Sequence, residues 1–117
     1  MRHGVVSMDK GETLIPRARR TASAWERMRG LLGSPPLADD EALWIEPCPS
    51  VHTLGMRYAI DVVFLDREDR VCKVVAGLRP FRFAACRGAR STLELGAGRA
   101  GALGIAPGVK LAWQEGA

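Results

Sequence analysis

Apolar positions along this chain fall into short runs separated by turn-forming residues, not into long helical periods. The strongest run is Ile60-Asp61-Val62-Val63-Phe64-Leu65. It is apolar on both faces except at Asp61, which predicts a central strand. Asp66-Arg67-Glu68-Asp69 reads as a turn and Val71 to Leu78 as the returning strand, so the pair predicts a β-hairpin. Ala42 to Glu46 and Val109 to Gln114 alternate as strands, and Thr92 to Leu95 is another. Gly11 to Ile15 is a brief extended stretch stopped by Pro16, with Arg17 to Arg20 exposed or edge-like beyond it. Pro47-Cys48-Pro49 breaks the Ala42–Glu46 strand, because two prolines cannot both sit in a central strand. Ser50 to Met56 therefore begins in irregular backbone. Phe81 to Arg90 reads as a loop, and Gly96 to Gly104 as a turn or one helical turn.

The clearest helix is Ala22 to Leu32. Ser23 and Glu26 have the spacing of a capping box, and Gly33 followed by Pro35-Pro36 closes the helix. Trp25, Met28, Leu31 and Leu32 recur at helical spacing and predict one apolar stripe packed on a sheet. Residues 1–10 are short, polar and expected to be loosely held. The expected organisation is this N-terminus followed by a single β-rich domain over 11–117. Its class is α+β and mainly antiparallel: a compact sandwich, jelly-roll-like, or a partly closed barrel, with one prominent helix. The first and last strands are expected to meet, since both need partners.

Composition narrows the function classes. A chain of 117 residues can bury roughly two thirds of its unfolded surface, so it needs no metal or disulfide to fold. No apolar run approaches a membrane span, and no apolar signal core follows Met1. The charge is uneven: residues 38–69 hold eight acidic and two basic residues, and residues 70–117 hold eight basic and two acidic. The basic residues are scattered, and 14 of 17 are arginine in an Ala- and Gly-rich chain, which fits a GC-rich genome better than phosphate recognition. Nucleic acid is therefore not an expected partner. Cys48, Cys72 and Cys86 lack the spacing of a zinc site or disulfide framework, and they fit a reducing cytoplasm. Gly96-Ala97-Gly98 lacks the context of a dinucleotide loop.

Candidate chemistry concentrates in residues 47–61. The segment holds Cys48, Ser50, His52, Thr53, Met56, Arg57 and Tyr58, and leads to Asp61, a carboxylate inside an apolar strand. A buried carboxylate needs a partner, which Arg57, His52 or backbone amides could supply. Three readings follow. The first choice is a non-catalytic binding or interaction module, its pocket built from Ser50, His52, Thr53, Met56, Arg57 and Asp61 with Glu94 as neighbour. Its ligand is an unknown small molecule or protein partner, with no cofactor or metal, and the chain is a monomer or weak dimer. The second is a hydrolase-like enzyme in which Asp61 orients His52 and Ser50, Thr53 or Cys48 is the nucleophile. The third is Cu(I) handling by Cys48, His52 and Met56, whose thiolate, imidazole and thioether suit a soft metal.

An ordered series of short pieces carries a resemblance. The pieces are Arg27-Met28-Arg29-Gly30-Leu31-Leu32, Pro47-Cys48-Pro49-Ser50-Val51-His52-Thr53, Gly55-Met56-Arg57 and Ile60 to Asp66. Leu93-Glu94-Leu95-Gly96-Ala97-Gly98, Gly104-Ile105 and Pro107-Gly108 follow. The series spans roughly residues 20 to 113 and resembles the bacterial and archaeal family called domain of unknown function 192, DUF192. The resemblance implies a small, mainly β, sandwich- or jelly-roll-like domain with one prominent helix. It implies no established activity and carries over no catalytic residues. The family's signature falls on His52-Thr53, Met56-Arg57 and Asp61. Ala59 stands where the family often has proline, and Lys110 lies near where an aspartate commonly follows the Pro107-Gly108 turn.

Overall fold

The computed structural model describes residues 1–116. Seven strands form one mixed sheet: β1 Arg2–Met8, β2 Thr13–Arg20, β3 Glu41–Ile45, β5 Ile60–Leu65, β6 Val71–Leu78, β8 Ser91–Gly96 and β9 Leu111–Glu115. Their order is β6-β5-β8-β3-β2-β1-β9. Two short strands, β4 Ser50–His52 and β7 Phe83–Ala85, pair antiparallel in a second sheet. The helices are α1 Ala24–Arg29 and α2 Arg99–Ala102. The fold is thus mainly β with two short helices. The large sheet is not closed into a barrel, but its edge strands approach each other at a bridge between Arg70 and Lys110. No helix among the described residues is long and apolar enough to cross a membrane.

The sheet is built as a double-sided core. Val63, Leu65, Trp44, Leu93 and Leu95 point into one apolar cluster that takes residues from β1, β2, β3, β5, β6, β8 and β9. The alternate residues Val62, Phe64, Leu43 and Ile45 point into a second cluster with Leu31, Val51, Met56 and Ala84. This two-sided burial is why the β5 sequence is apolar without alternation. The first cluster is enclosed by the curl of the sheet together with α2 and Ile105. The second is covered by β4, β7 and the segment around α1.

The β5–β6 hairpin forms as its sequence predicts. Asp66 Oδ1 accepts from the amides of Glu68 at 2.8 Å and Arg70 at 3.0 Å, and Asp69 takes a positive φ of 61°. β1 and β9 pair antiparallel, so the chain ends meet as expected. Gly4 is required there: a Cβ on it would lie 2.3 Å from the Gln114 carbonyl oxygen.

Several elements depart from the sequence reading. The first ten residues, expected to be loosely held, contain β1, which lies between β2 and β9. Pro16 does not stop β2. The β1–β2 register shifts beside it and pairing with β3 begins only at Arg17, so the missing N–H falls at an irregularity, where no ladder bond is lost. The β2–β3 pair is parallel, which makes the sheet mixed. A parallel pair needs a crossover, and residues 21–40, including α1, supply it. Phe81 to Arg90 is not all loop, because β7 lies within it.

The helix is the largest departure. It spans six residues and is capped at Gly30, not Gly33. Ser23 Oγ accepts from the Glu26 amide at 3.2 Å, as the capping spacing requires. Its apolar stripe, however, faces outward: Trp25 is 70% and Met28 75% exposed, and only Leu31, just beyond the helix, enters the core. Gly30, with φ +52°, ends the helix before the stripe can complete a packed face.

Asp61 ties the frame together. It is 1% exposed and sits on β5 with Val63 and Leu65. Its Oδ1 accepts from Gly77 N at 2.9 Å and Gly98 N at 3.1 Å, and its Oδ2 from Ala100 N at 2.9 Å. One carboxylate thereby satisfies a bulge amide of β6 and two amides at the start of α2. We expect Asp61→Ala to lower the unfolding free energy by about 3 kcal/mol or more, since buried amides lose their acceptor. Urea unfolding followed by tryptophan fluorescence reads this; a loss under about 0.5 kcal/mol would contradict the assigned role.

Candidate functional site

The second cluster is incompletely covered. Between α1 and the Ser50–Met56 segment a recess of ≈ 240 Å³ opens, with Ile45 and Glu94 from the sheet among its lining. Leu31, Leu32, Leu54 and Met56 supply apolar wall, and Arg27, Cys48, Ser50 and His52 supply the polar groups.

Glu94 is placed by β8 register. Leu93 and Leu95 point into the first cluster, so Glu94 projects to the opposite face, between its neighbours Leu43 on β3 and Val62 on β5. Gly30 lies directly over it: a Cβ there would be 3.8 Å from Glu94 Oε1. Glu94 is 5% exposed and its Oε1 has no hydrogen-bond partner. Burial therefore acts unopposed, and it pushes the carboxyl up to about 7. An unpaired buried carboxyl normally costs stability.

The other polar groups of the recess are better satisfied or more exposed. The Cys48 thiol donates to the Ser50 carbonyl at 3.0 Å, and burial pushes its pKa up. The Cys48 carbonyl accepts from Thr92 Oγ1 at 2.7 Å, which fixes the proline-flanked turn onto β8. His52 is exposed at the rim, on β4 opposite Phe83.

The sequence candidates separate into three groups. Ser50, His52, Met56 and Glu94 line one recess together with Cys48. Arg57 lines a neighbouring, wider recess with Pro35, Pro36 and Tyr58, and the two recesses share Leu31, Leu32 and Met56. Thr53 and Asp61 line neither and are structural. Thr53 is fully buried; its Oγ1 donates to the Arg79 carbonyl at 2.6 Å and accepts from Arg82 N at 2.8 Å. Asp61 is directed into the opposite face of the sheet from the recess. Among the described residues no hydrogen bond joins His52 to a carboxylate or nucleophile, so the His52–Asp61 pair of the hydrolase reading is not formed. Cys48, His52 and Met56 do share a recess, although no cluster of three or more His, Cys, Asp and Glu side chains among the described residues is placed to hold a metal.

Arg27, Leu31 and Leu32 are the site residues that sequence reasoning passed over. Leu31 and Leu32 belong to the apolar stripe, whose helical spacing reads as core, and Arg27 lies off that stripe.

The family profile of DUF192, described as an uncharacterised ACR, matches residues 5–113, and the chain belongs to that family. No curated protein matches the chain. A solved protein of unknown function from Novosphingobium aromaticivorans DSM 12444 is similar, with a TM-score of 0.76 and 24% identity over 95% of this chain and 84% of that one. A second, from Sinorhizobium meliloti 1021 and provisionally named a transcription regulator, has a TM-score of 0.80 and 18% identity over 96% of this chain and 92% of that one. At these identities the likeness shows the fold alone.

The buried carboxyl has a pH signature. Glu94 is raised from 4.5 to about 7, so the folded state holds its proton more tightly than the unfolded state. The stability this confers is full below the unfolded value and is lost as pH rises through the folded value. Relative to Glu94→Gln, the wild type should lose about 3 kcal/mol between pH 4.5 and pH 7 and change little above that. Urea unfolding of both proteins across this range measures the difference. A flat difference curve would contradict the burial of an unpaired carboxyl.

Proposed function

We propose that this chain is a small, non-catalytic binding module whose ligand seats in the recess over Glu94. The ligand is a small molecule, or one side chain of a partner, with a cationic or hydrogen-bond-donating head and a short apolar body. The observation that carries this reading is the unpartnered, buried Oε1 of Glu94 on the wall of a recess that also has apolar wall from Leu31, Leu32, Leu54 and Met56. A cation or N–H donor there would satisfy the carboxylate in low dielectric, where a charged hydrogen bond is strong. Leu31, Leu54 and Met56 would take the apolar body, and His52 and Ser50 would supply polar contacts at the rim. The volume of ≈ 240 Å³ is below that of a drug-sized pocket and restricts the buried part to about ten heavy atoms. Arg57 in the adjoining recess offers a place for an anionic extension of the same ligand. The three free cysteines support a reducing compartment, and on that ground we place the protein in the cytoplasm.

Copper(I) handling is the second reading, favoured by the shared recess of Cys48, His52 and Met56. The protonated Cys48 thiol, turned to the Ser50 carbonyl, weighs against it.

Amide NMR titration with a series of primary alkylamines from ethyl to hexyl separates the two. Binding should shift the amides of Gly30, Leu31, His52 and Leu54, and tighten by about 0.8 kcal/mol per methylene until the recess is full. Affinity should rise about tenfold per pH unit below pH 7, because the empty Glu94 must lose its proton. Glu94→Gln should weaken it at least about tenfold. Equal amine binding by Glu94→Gln, or no response in the recess, overturns the reading. One-to-one Cu(I) uptake that Cys48→Ser abolishes and Glu94→Gln leaves intact would put the metal reading in its place.

A further inference from the structure

Two cysteines outside the recess lie side by side. Cys72 is exposed on β6, the edge strand of the large sheet, and Cys86 follows β7 in the two-stranded sheet. Their sulfurs are 3.3 Å apart. A disulfide needs about 2.05 Å, so closure requires an approach of about 1.3 Å. The two strands are already held in place around the pair. Lys73 Nζ donates to the Ala85 carbonyl at 2.9 Å, the Cys72 thiol donates to the Phe64 carbonyl at 3.4 Å, and Cys86 N donates to the Pro49 carbonyl at 3.1 Å. Cys48 has a different environment, with its thiol turned to the Ser50 carbonyl.

We propose that Cys72 and Cys86 are a reversible thiol–disulfide site, closed by a low-molecular-weight disulfide, whose oxidation staples the β4–β7 layer to the edge of the main sheet. The exchange runs in two steps. One cysteine loses its proton and its sulfur attacks the reagent disulfide, forming a mixed disulfide and releasing one reagent thiolate. The second cysteine, deprotonated in turn, attacks the protein-side sulfur of that mixed disulfide and releases the other thiolate. The two protein thiols are oxidised to one disulfide, the reagent is reduced to two thiols, and the two protons end on the released thiolates.

The pair is suited to a slow latch. Partial burial and the neighbouring Cys86 push the Cys72 thiol up to about 11, so little of its reactive thiolate is present near neutrality. Closure should therefore quicken as pH rises from about 7 to about 9. Because Cys86 is bonded to Pro49 and β7 to β4, the closed form also fixes the wall that carries Ser50 and His52.

The test is to equilibrate the full-length folded protein with glutathione disulfide and follow its intact mass. The expected product has lost about 2 Da and retains one alkylatable thiol, mapped to Cys48. Dithiothreitol should restore all three thiols. Cys72→Ser and Cys86→Ser, each folded by circular dichroism, should stop at a stable glutathione adduct, which shows that the reagent reaches the remaining sulfur. A wild type that stops at such an adduct, forms a disulfide with Cys48, or keeps three free thiols while a control dithiol closes overturns the proposal.

Discussion

A sheet whose central strands are apolar on both faces must be covered twice, and the rest of this structure follows from that constraint. Along β5, Val63 and Leu65 demand one cover while Ile60, Val62 and Phe64 demand another. The first is met by the sheet itself, which curls until its edges touch at Arg70 and Lys110, with Ala100 of α2 and Ile105 filling the space it encloses. The second has to come from elsewhere, and the chain supplies it with two strands of three residues and a helix of less than two turns. Such small elements cannot seal a face that spans several strands. The gap they leave between them is the recess, and Ile45 and the buried Glu94 are the sheet residues that line it. The site thus arises where the second layer is too small for the face beneath it.

The same constraint decides what could be read in the sequence. The β5–β6 hairpin was legible because both its strands and its turn carry local signals: continuous apolar residues, then Asp66 and Asp69 in a tight reversal. Thr92-Leu93-Glu94-Leu95 was legible as a strand, but its alternation says only that Thr92 and Glu94 share a face. That this face lies beneath a second layer depends on β4 and β7, which are too short to announce themselves. The outward stripe of α1 failed for a related reason. Helical spacing of Trp25, Met28 and Leu32 reports that they lie together, and not which way they point. The strand character of Arg2–Met8 was hidden because its support is non-local, coming from β2 and from β9 at the far end of the chain.

Two buried carboxylates on opposite faces of one sheet show how frame and site divide the work. Asp61 and Glu94 lie on the adjacent strands β5 and β8 and are both almost fully buried. Asp61 receives three backbone amides on the face of the sheet away from the recess, so its charge is met inside the fold. The Oε1 of Glu94 receives none. The sequence marks Asp61 as the stranger residue because it interrupts an apolar run, yet its oddity is resolved inside the fold. Glu94 sits in an unremarkable alternation and is the one left unresolved. Unusual placement in sequence and unmet chemistry in structure are therefore different signals, and only the second points to a binding role.

The recess is bounded on one side by an element with little holding it down. α1 buries none of its own residues; its anchors are the Ser23 and Glu26 cap, the Met1 ammonium 2.9 Å from Glu26, and Leu31 just past its end. The opposite wall is held by many bonds: Thr53 is tied to Arg79 and Arg82, Cys48 to Thr92 and Ser50, and Cys86 to Pro49. Displacing the helix would cost one buried leucine and a few exposed bonds, whereas displacing the β4 wall would strand several buried polar groups. Any adjustment of the recess to an occupant thus falls on the helix side, where Trp25, Met28 and Leu32 already stand in solvent. Of that outward stripe, Met28 and Leu32 line the recess, while Trp25 lies away from it beside Met1 and His3.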